Sequence, residues 1–116
     1  MNTTPVNTPY GIIYGRNALI MRSYEIVLSP FSIRIRCSLS LAACKPEILN
    51  VQSIEITLAF TELKNLCIYK TDEYPEEKYT SSSFDKVTNN KTNDRYILST
   101  YDHVFDLTGK LESFCS

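Results

Sequence analysis

The stretch FSIRIRCSLSL, residues 31–41, alternates apolar and polar side chains without a slip. Successive side chains of a strand point to opposite faces. A period of two therefore puts Phe31, Ile33, Ile35, Cys37, Leu39 and Leu41 on one face, and Ser32, Arg34, Arg36, Ser38 and Ser40 on the other. One-sided alternation also speaks for antiparallel pairing, because strands of parallel sheets are buried on both faces and read as continuous apolar runs. The apolar row needs a core. The Ser/Arg row is the face that can meet something else.

Other segments carry the same signal. ALIMRSYEIVL (18–28) mixes apolar residues with β-formers and stops at Ser29-Pro30, where the missing proline N–H calls for a turn. SIEITLAF (53–60) alternates again, and LCIYK (66–70) is expected to return as the second strand of a hairpin around TELKN, although no glycine sets that turn. RYILSTY (95–101) and HVFDLTGKLESF (103–114) read as strands, with Phe105, Leu107, Gly109 and Leu111 on one face. Gly109 marks a bulge or a close backbone approach. Residues 1–9, with two prolines, read as an extended, loosely held arm. Residues 71–94 form a polar connection unusually long for a small domain. A helical turn is expected within it near residues 83–87, capped by Ser82 or Ser83.

These pieces predict a mostly β chain: an antiparallel β-sandwich or a strongly curved sheet of six to seven strands, with one long polar loop at 71–94. At 116 residues the chain suits a single domain that buries its own core. The predicted core is Ile33, Ile35, Cys37, Leu39, Ile54, Ile56, Leu58, Phe60, Phe105 and Leu107.

Composition narrows the function classes. Twelve Lys and Arg against thirteen Asp and Glu give a net charge of −1, which argues against nonspecific nucleic-acid binding, a matter of displacing counterions with excess cations. No apolar run approaches the length of a membrane span. MNTTPVNTPYG lacks the basic and then apolar order of a secretory signal, so a cytoplasmic location is expected. Three glycines cannot build a phosphate-cradling loop. Four cysteines, at 37, 44, 67 and 115, make no CxxC pair and meet a single histidine, so neither a zinc site nor a disulfide framework is expected. Cys37 and Cys67 read as small buried hydrophobes, and Cys115 as an exposed thiol. No cofactor or metal is expected, and no enzymatic motif is present. His103 would need a carboxylate partner to act as a general base. On a strand its neighbour Asp102 would point the other way.

Two groups of residues remain as candidate binding surfaces. Arg34 and Arg36, two apart, emerge from the same face beside serines. They can fork onto a carboxylate or phosphate, or pair with Glu55 on a neighbouring strand. No aromatic is interleaved with them, which argues against a base-stacking platform. The second group is DEYPEEKY (72–79). Asp72, Glu73, Glu76 and Glu77 would steer a basic partner, while Tyr74 and Tyr79 supply contact area at low entropic cost.

The alternating SIEITLAFTELKNLCIYK, the polar insertion after it, and YILSTYDHVFDLTGKLESF with its aromatic-Asp-x-x-Phe-Asp-Leu-x-Gly pattern are together similar to a known layout. Over residues 24–114 the chain resembles the small β-rich immunity proteins of bacterial polymorphic toxin systems. That resemblance implies a cytoplasmic, non-enzymatic inhibitor that plugs one toxin, with contact residues too variable to transfer. The expectation is thus a protein-binding inhibitor whose partner is a basic toxin domain, with homodimerisation through a sheet edge as a further mode. Two alternatives stand beside it. One is a phage or viral antidefence, anti-CRISPR-like inhibitor. The other is a small enzyme or ligand-binding β-domain with a pocket near His103.

Overall fold

The computed structural model describes residues 3–15, 17–45, 53–75, 82–87 and 94–115. Among them are nine strands, two 3-10 turns at Leu41–Ala43 and Thr71–Glu73, and no α-helix. The strands are β1 (Thr3–Pro5), β2 (Ile12–Ile13), β3 (Leu19–Leu28), β4 (Phe31–Ser40), β5 (Cys44–Lys45), β6 (Ser53–Lys70), β7 (Phe84–Val87), β8 (Asp94–Ser99) and β9 (His103–Cys115). Seven form one antiparallel sheet in the order β1-β7-β8-β9-β6-β4-β3, and β2 pairs with β5 in a small second sheet.

The large sheet is strongly curved. Two strands, β6 and β4, separate β9 from β3. In a flat sheet that places β9 and β3 about 14 Å apart. Yet the rings of Tyr24 on β3 and Phe105 on β9 stand edge-on with centroids 5.9 Å apart. The sheet has rolled its inner face onto itself. At one end the Tyr101 N–H, in the turn between β8 and β9, donates to the Leu19 carbonyl at 2.7 Å, so the roll nearly closes there.

The alternation read from residues 31–41 decides what fills the roll. Nine of the ten predicted core residues are buried, and Ile54 is partly buried against them. Each large apolar side chain so placed contributes roughly 1.5–3 kcal/mol by leaving water. Phe60 sits at the centre, with ring centroids 6.1 Å from Phe84 and 5.4 Å from Tyr96. The small sheet adds Ile13 and Cys44 to the same cluster.

Three expectations are corrected. Residues 53–70 are not a hairpin. They form one strand, β6, in which residues 53–60 pair with β4 and residues 57–70 run along β9, so that 57–60 lie between both. TELKN is an irregularity within it, where the register on β9 jumps between Thr61 and Asn65 and Glu62 takes a positive φ of 51°. The N-terminal arm is likewise paired, because Thr3–Pro5 add to β7 as an edge strand, where the missing proline donor is tolerated. Residues 84–87 are strand, not helical turn. Phe84 and Val87 are spaced three apart, which imitates a helix. In β7 they point to opposite faces, Phe84 into the main core and Val87 into a second cluster with Ile97, Val104, Tyr69 and Tyr74. Residues 76–81 and 88–93 of the expected loop, including Glu76, Glu77 and Tyr79, lie outside the described residues.

Candidate functional site

On the outer face of the sheet, two cross-strand rows run side by side. Ser23 of β3, Arg36 of β4, Thr57 of β6 and Cys115 of β9 form one. Glu25, Arg34, Ala59 and Ser113 form the other. The rolled sheet, with Glu112 at the margin, makes of them an open trough of about 690 Å³. Both arginines are exposed. Neither makes an ion pair or hydrogen bond among the described residues. Glu55 is taken instead by Arg22, at 3.7 Å between two exposed side chains. The extra residue at the β3 bulge between Met21 and Ser23 turns Arg22 onto the outer face.

The trough is therefore of mixed sign. Two forked cations lie on β4, one strand in from the sheet edge, with carboxylates at Glu25 and Glu112 and hydroxyls at Ser23, Thr57 and Ser113. Such a surface accepts a carboxylate from above while offering its own carboxylates to cations alongside. Sequence reasoning found the arginines but not their neighbours, because the rows depend on cross-strand register, which alternation alone does not supply.

Beside the trough, β3 and β4 form a hairpin whose β4 residues Ile33 and Ile35 are buried in the core while the β3 side is open. The hairpin turns at a cis Ser29–Pro30 peptide. Tyr24, Ile26 and Leu28 lie opposite Ile35, Ile33 and Phe31, so they belong to the inner face. They are nevertheless 46%, 37% and 80% exposed, and Val27 on the outer face is 41% exposed.

The acidic group is not brought to the arginines. Asp72 and Glu73 lie in the 3-10 turn after β6, beside the first residues of β9, whereas the trough sits at the last residues of β9. Both carboxylates are exposed. Tyr74 is engaged within the fold. Its hydroxyl donates to Asp106 Oδ2 at 3.0 Å, and its ring stands 5.3 Å from that of Tyr69. Asp106 in turn holds Arg95 in a fork, Nε to Oδ1 at 2.8 Å and Nη2 to Oδ2 at 2.6 Å. Tyr74 thus pins the start of the polar segment to the sheet.

His103 also differs from expectation. Asp102 lies in the turn before β9, not on the strand, and its Oδ1 stands 2.9 Å from His103 Nδ1. The hydrogen bond from His103 is the main cause that lowers the Asp102 pKa below its ordinary value. The pair opens on a shallow depression of about 270 Å³ lined also by Lys70, Thr71 and Asp72. The Thr71 hydroxyl donates to the Tyr101 carbonyl at 3.5 Å.

Burial accounts for the cysteines. It pushes the Cys37 thiol up to about 12, helped by nearby Glu55, and raises Cys44 as well. Cys67 is half-buried and Cys115 exposed. Among the described residues no three His, Cys, Asp or Glu side chains converge as metal ligands would, and no helix is long and apolar enough to cross a membrane. No family model matches this chain, and no curated protein or solved structure resembles it significantly.

Proposed function

We propose that this protein is a non-enzymatic binding protein that engages a protein partner through the trough around Arg34 and Arg36. The observation that carries the reading is a pair of guanidinium groups, unpartnered among the described residues, within an open trough of about 690 Å³. Arginine is enriched at the centres of protein interfaces, and its planar fork loses less entropy per hydrogen bond formed than a lysine would. The flanking carboxylates favour a protein over a nucleic acid, since a phosphate backbone would meet Glu25 and Glu112 at the same time.

The resemblance to immunity proteins supports the narrower form of this reading, an inhibitor that neutralises a toxin in the cytoplasm. A toxin domain with a basic active cleft would turn cations toward Glu25 and Glu112 and acidic side chains toward the arginines, while the exposed Asp72 and Glu73, at the other end of β9, would act only by long-range steering. An antidefence inhibitor would use the same surface against a different enzyme. The Asp102–His103 pair supports a second reading, a small ligand-binding or catalytic depression. That depression is shallow and its Asp102 side chain is 62% exposed, so it does not exclude the water that a catalytic site shuts out, which weighs against catalysis there.

The test is to isolate the partner with the wild-type protein, then measure its affinity for wild type and for the double variant Arg34→Ser/Arg36→Ser. Loss of both arginines should weaken binding about a hundredfold. A partner bound equally well by both proteins would reject the trough. Co-expression decides the narrower form: wild type, but not the variant, should relieve the partner's toxicity. Relief or binding lost in His103→Ala instead would favour the second reading.

A further inference from the structure

The outer strand β3 poses a separate problem. Among the described residues it pairs only with β4, apart from the single hydrogen bond that Tyr101 donates to Leu19. A ten-residue edge strand left open is a template for another strand, and soluble proteins ordinarily blunt such edges with charge, proline or brevity. Here Ile20, Tyr24, Ile26, Val27 and Leu28 are all exposed on it. This edge borders the trough and shares Ser23 and Glu25 with it, but the backbone pairing along it is a question separate from what the trough binds.

We infer that β3 pairs antiparallel with β3 of a second copy of this chain, about a two-fold axis through Tyr24. The argument is self-complementarity. In an antiparallel pair, residues directly opposite share a face. With Tyr24 opposite Tyr24 of the second copy, Glu25 falls opposite the bulge formed by Arg22 and Ser23. Beyond the bulge, Ile26 meets Met21 and Val27 meets Ile20. Every inner-face residue then meets an inner-face residue, and every outer-face residue an outer-face one. The bulge is what permits this. Were β3 regular through Arg22, that extra residue would put the two halves of the strand out of phase. The match joins apolar to apolar at two positions on each side of the axis, and Arg22 to Glu25 twice. A two-fold axis through Glu25 instead would set like charges opposite each other, which is destabilising. An axis through Ile26 would leave Ile20, Met21 and Arg22 beyond the paired span. At the far end Tyr101, half-exposed, already occupies the edge beside Leu19. It would stop the pairing and receive Leu28 of the second copy. Arg22 can turn to this contact at little cost, since its present bridge to Glu55 is long and solvent-exposed. The product is an isologous dimer with a continuous sheet and two troughs on one outer face.

Sedimentation equilibrium on the intact protein tests this directly. Wild type should dimerise reversibly. Arg22→Glu and Glu25→Arg should each weaken the dimer about tenfold, because each places like charges opposite one another at two symmetry-related contacts. Mixing the two variants should restore association as a heterodimer, since each substituted side chain would then face its opposite charge, and the unsubstituted Arg22 and Glu25 would face each other. A wild type that stays monomeric at the highest attainable concentration overturns the proposal. So does a dimer indifferent to the charge swaps, which would use another surface. Amide exchange on the wild type gives a reading that needs no variant: residues 20–27 should gain protection as concentration rises, and unchanged protection overturns the pairing.

Discussion

Gly109 on β9 lies against Leu63 on β6 so closely that a Cβ on the glycine would stand 2.8 Å from Leu63 Cδ2. The same Cβ would be 3.0 Å from the Thr61 carbonyl oxygen and 3.2 Å from Leu63 Cα. Gly109 falls between Lys110, which pairs with Thr61, and Thr108, which pairs with Asn65. Three residues of β6 are therefore accommodated opposite one glycine of β9. Such a bulge bends the long strand. It also turns Leu63 into the core, where it is only 6% exposed.

Gly109→Ala should accordingly destabilise the protein by about 1–3 kcal/mol, the usual cost of overpacking a tight contact. Urea denaturation would measure it. Because two of the three close contacts are backbone, removing the leucine side chain relieves only part of the strain. The double variant Gly109→Ala/Leu63→Ala should then be somewhat less destabilised than the sum of the single changes. Strict additivity would mean that the backbone contacts, not Leu63, set the cost.

This contact also shows where the sequence stops being legible. The glycine that makes room for the TELKN irregularity is not in TELKN. It lies on another strand, far along the chain, and only the β6–β9 register brings the two together. Read locally, five polar and apolar residues between two alternating runs look like a hairpin turn. The strand FSIRIRCSLSL was legible because its period of two is a local property that burial then enforces. The trough was half legible for the same reason: Arg34 and Arg36 share a face by spacing alone, whereas Ser113 and Cys115 join them only through pairing. Asp102 and His103 were misjudged because their relation depends on where β9 begins, and strand ends are poorly marked in sequence.

Tyr74 tests how firmly the start of the polar segment is held. Its hydroxyl donates to a carboxylate that is already forked to Arg95, on a pair only 27% and 14% exposed at the side chain. Tyr74→Phe removes that bond and keeps the ring on Tyr69. The expected loss is about 1 kcal/mol. Amide exchange should quicken at residues 71–74 while β8 and β9 stay protected. Unchanged exchange there would mean that ring packing alone holds the segment.

The thiols predict a pH dependence. The ordinary cysteine value is 9.0, and burial with nearby Glu55 raises Cys37 to about 12 in the folded protein. Once unfolded, the thiol ionises near its ordinary value. The folded state is therefore at no disadvantage below pH 9, and its stability falls as pH rises from 9 toward about 12. Cys44 and Tyr96, both raised chiefly by burial, act in the same direction. Asp102 acts oppositely, and only at acid pH, since the contribution of a lowered carboxyl is lost as pH falls through its folded value. Denaturation midpoints measured across the alkaline range should decline, and Cys37→Ala should flatten the slope whatever it does to stability at neutral pH. An unchanged slope would show that Cys37 is not shielded as its burial implies.

Cys115 offers a probe of the trough that needs no partner. It is exposed and lies in the same cross-strand row as Arg36, two strand spacings away, or about 10 Å. That distance is well inside the screening length at low salt, which is about 30 Å at 0.01 M. If the arginines dominate the local potential over Glu25 and Glu112, an anionic aromatic disulfide should modify Cys115 faster than a neutral one of similar intrinsic reactivity. The difference should shrink as salt is added. Working in a Cys67→Ser background removes the other partly accessible thiol. Replacing Arg34 and Arg36 by serine should slow the anionic reagent several-fold and leave the neutral one nearly unchanged, because concentrating an anion near the thiol is an electrostatic effect. Equal slowing of both reagents would point to altered access, not charge. No slowing of either would show that the trough carries no net attraction for anions, and the partner would then have to be recognised by its cations at Glu25 and Glu112.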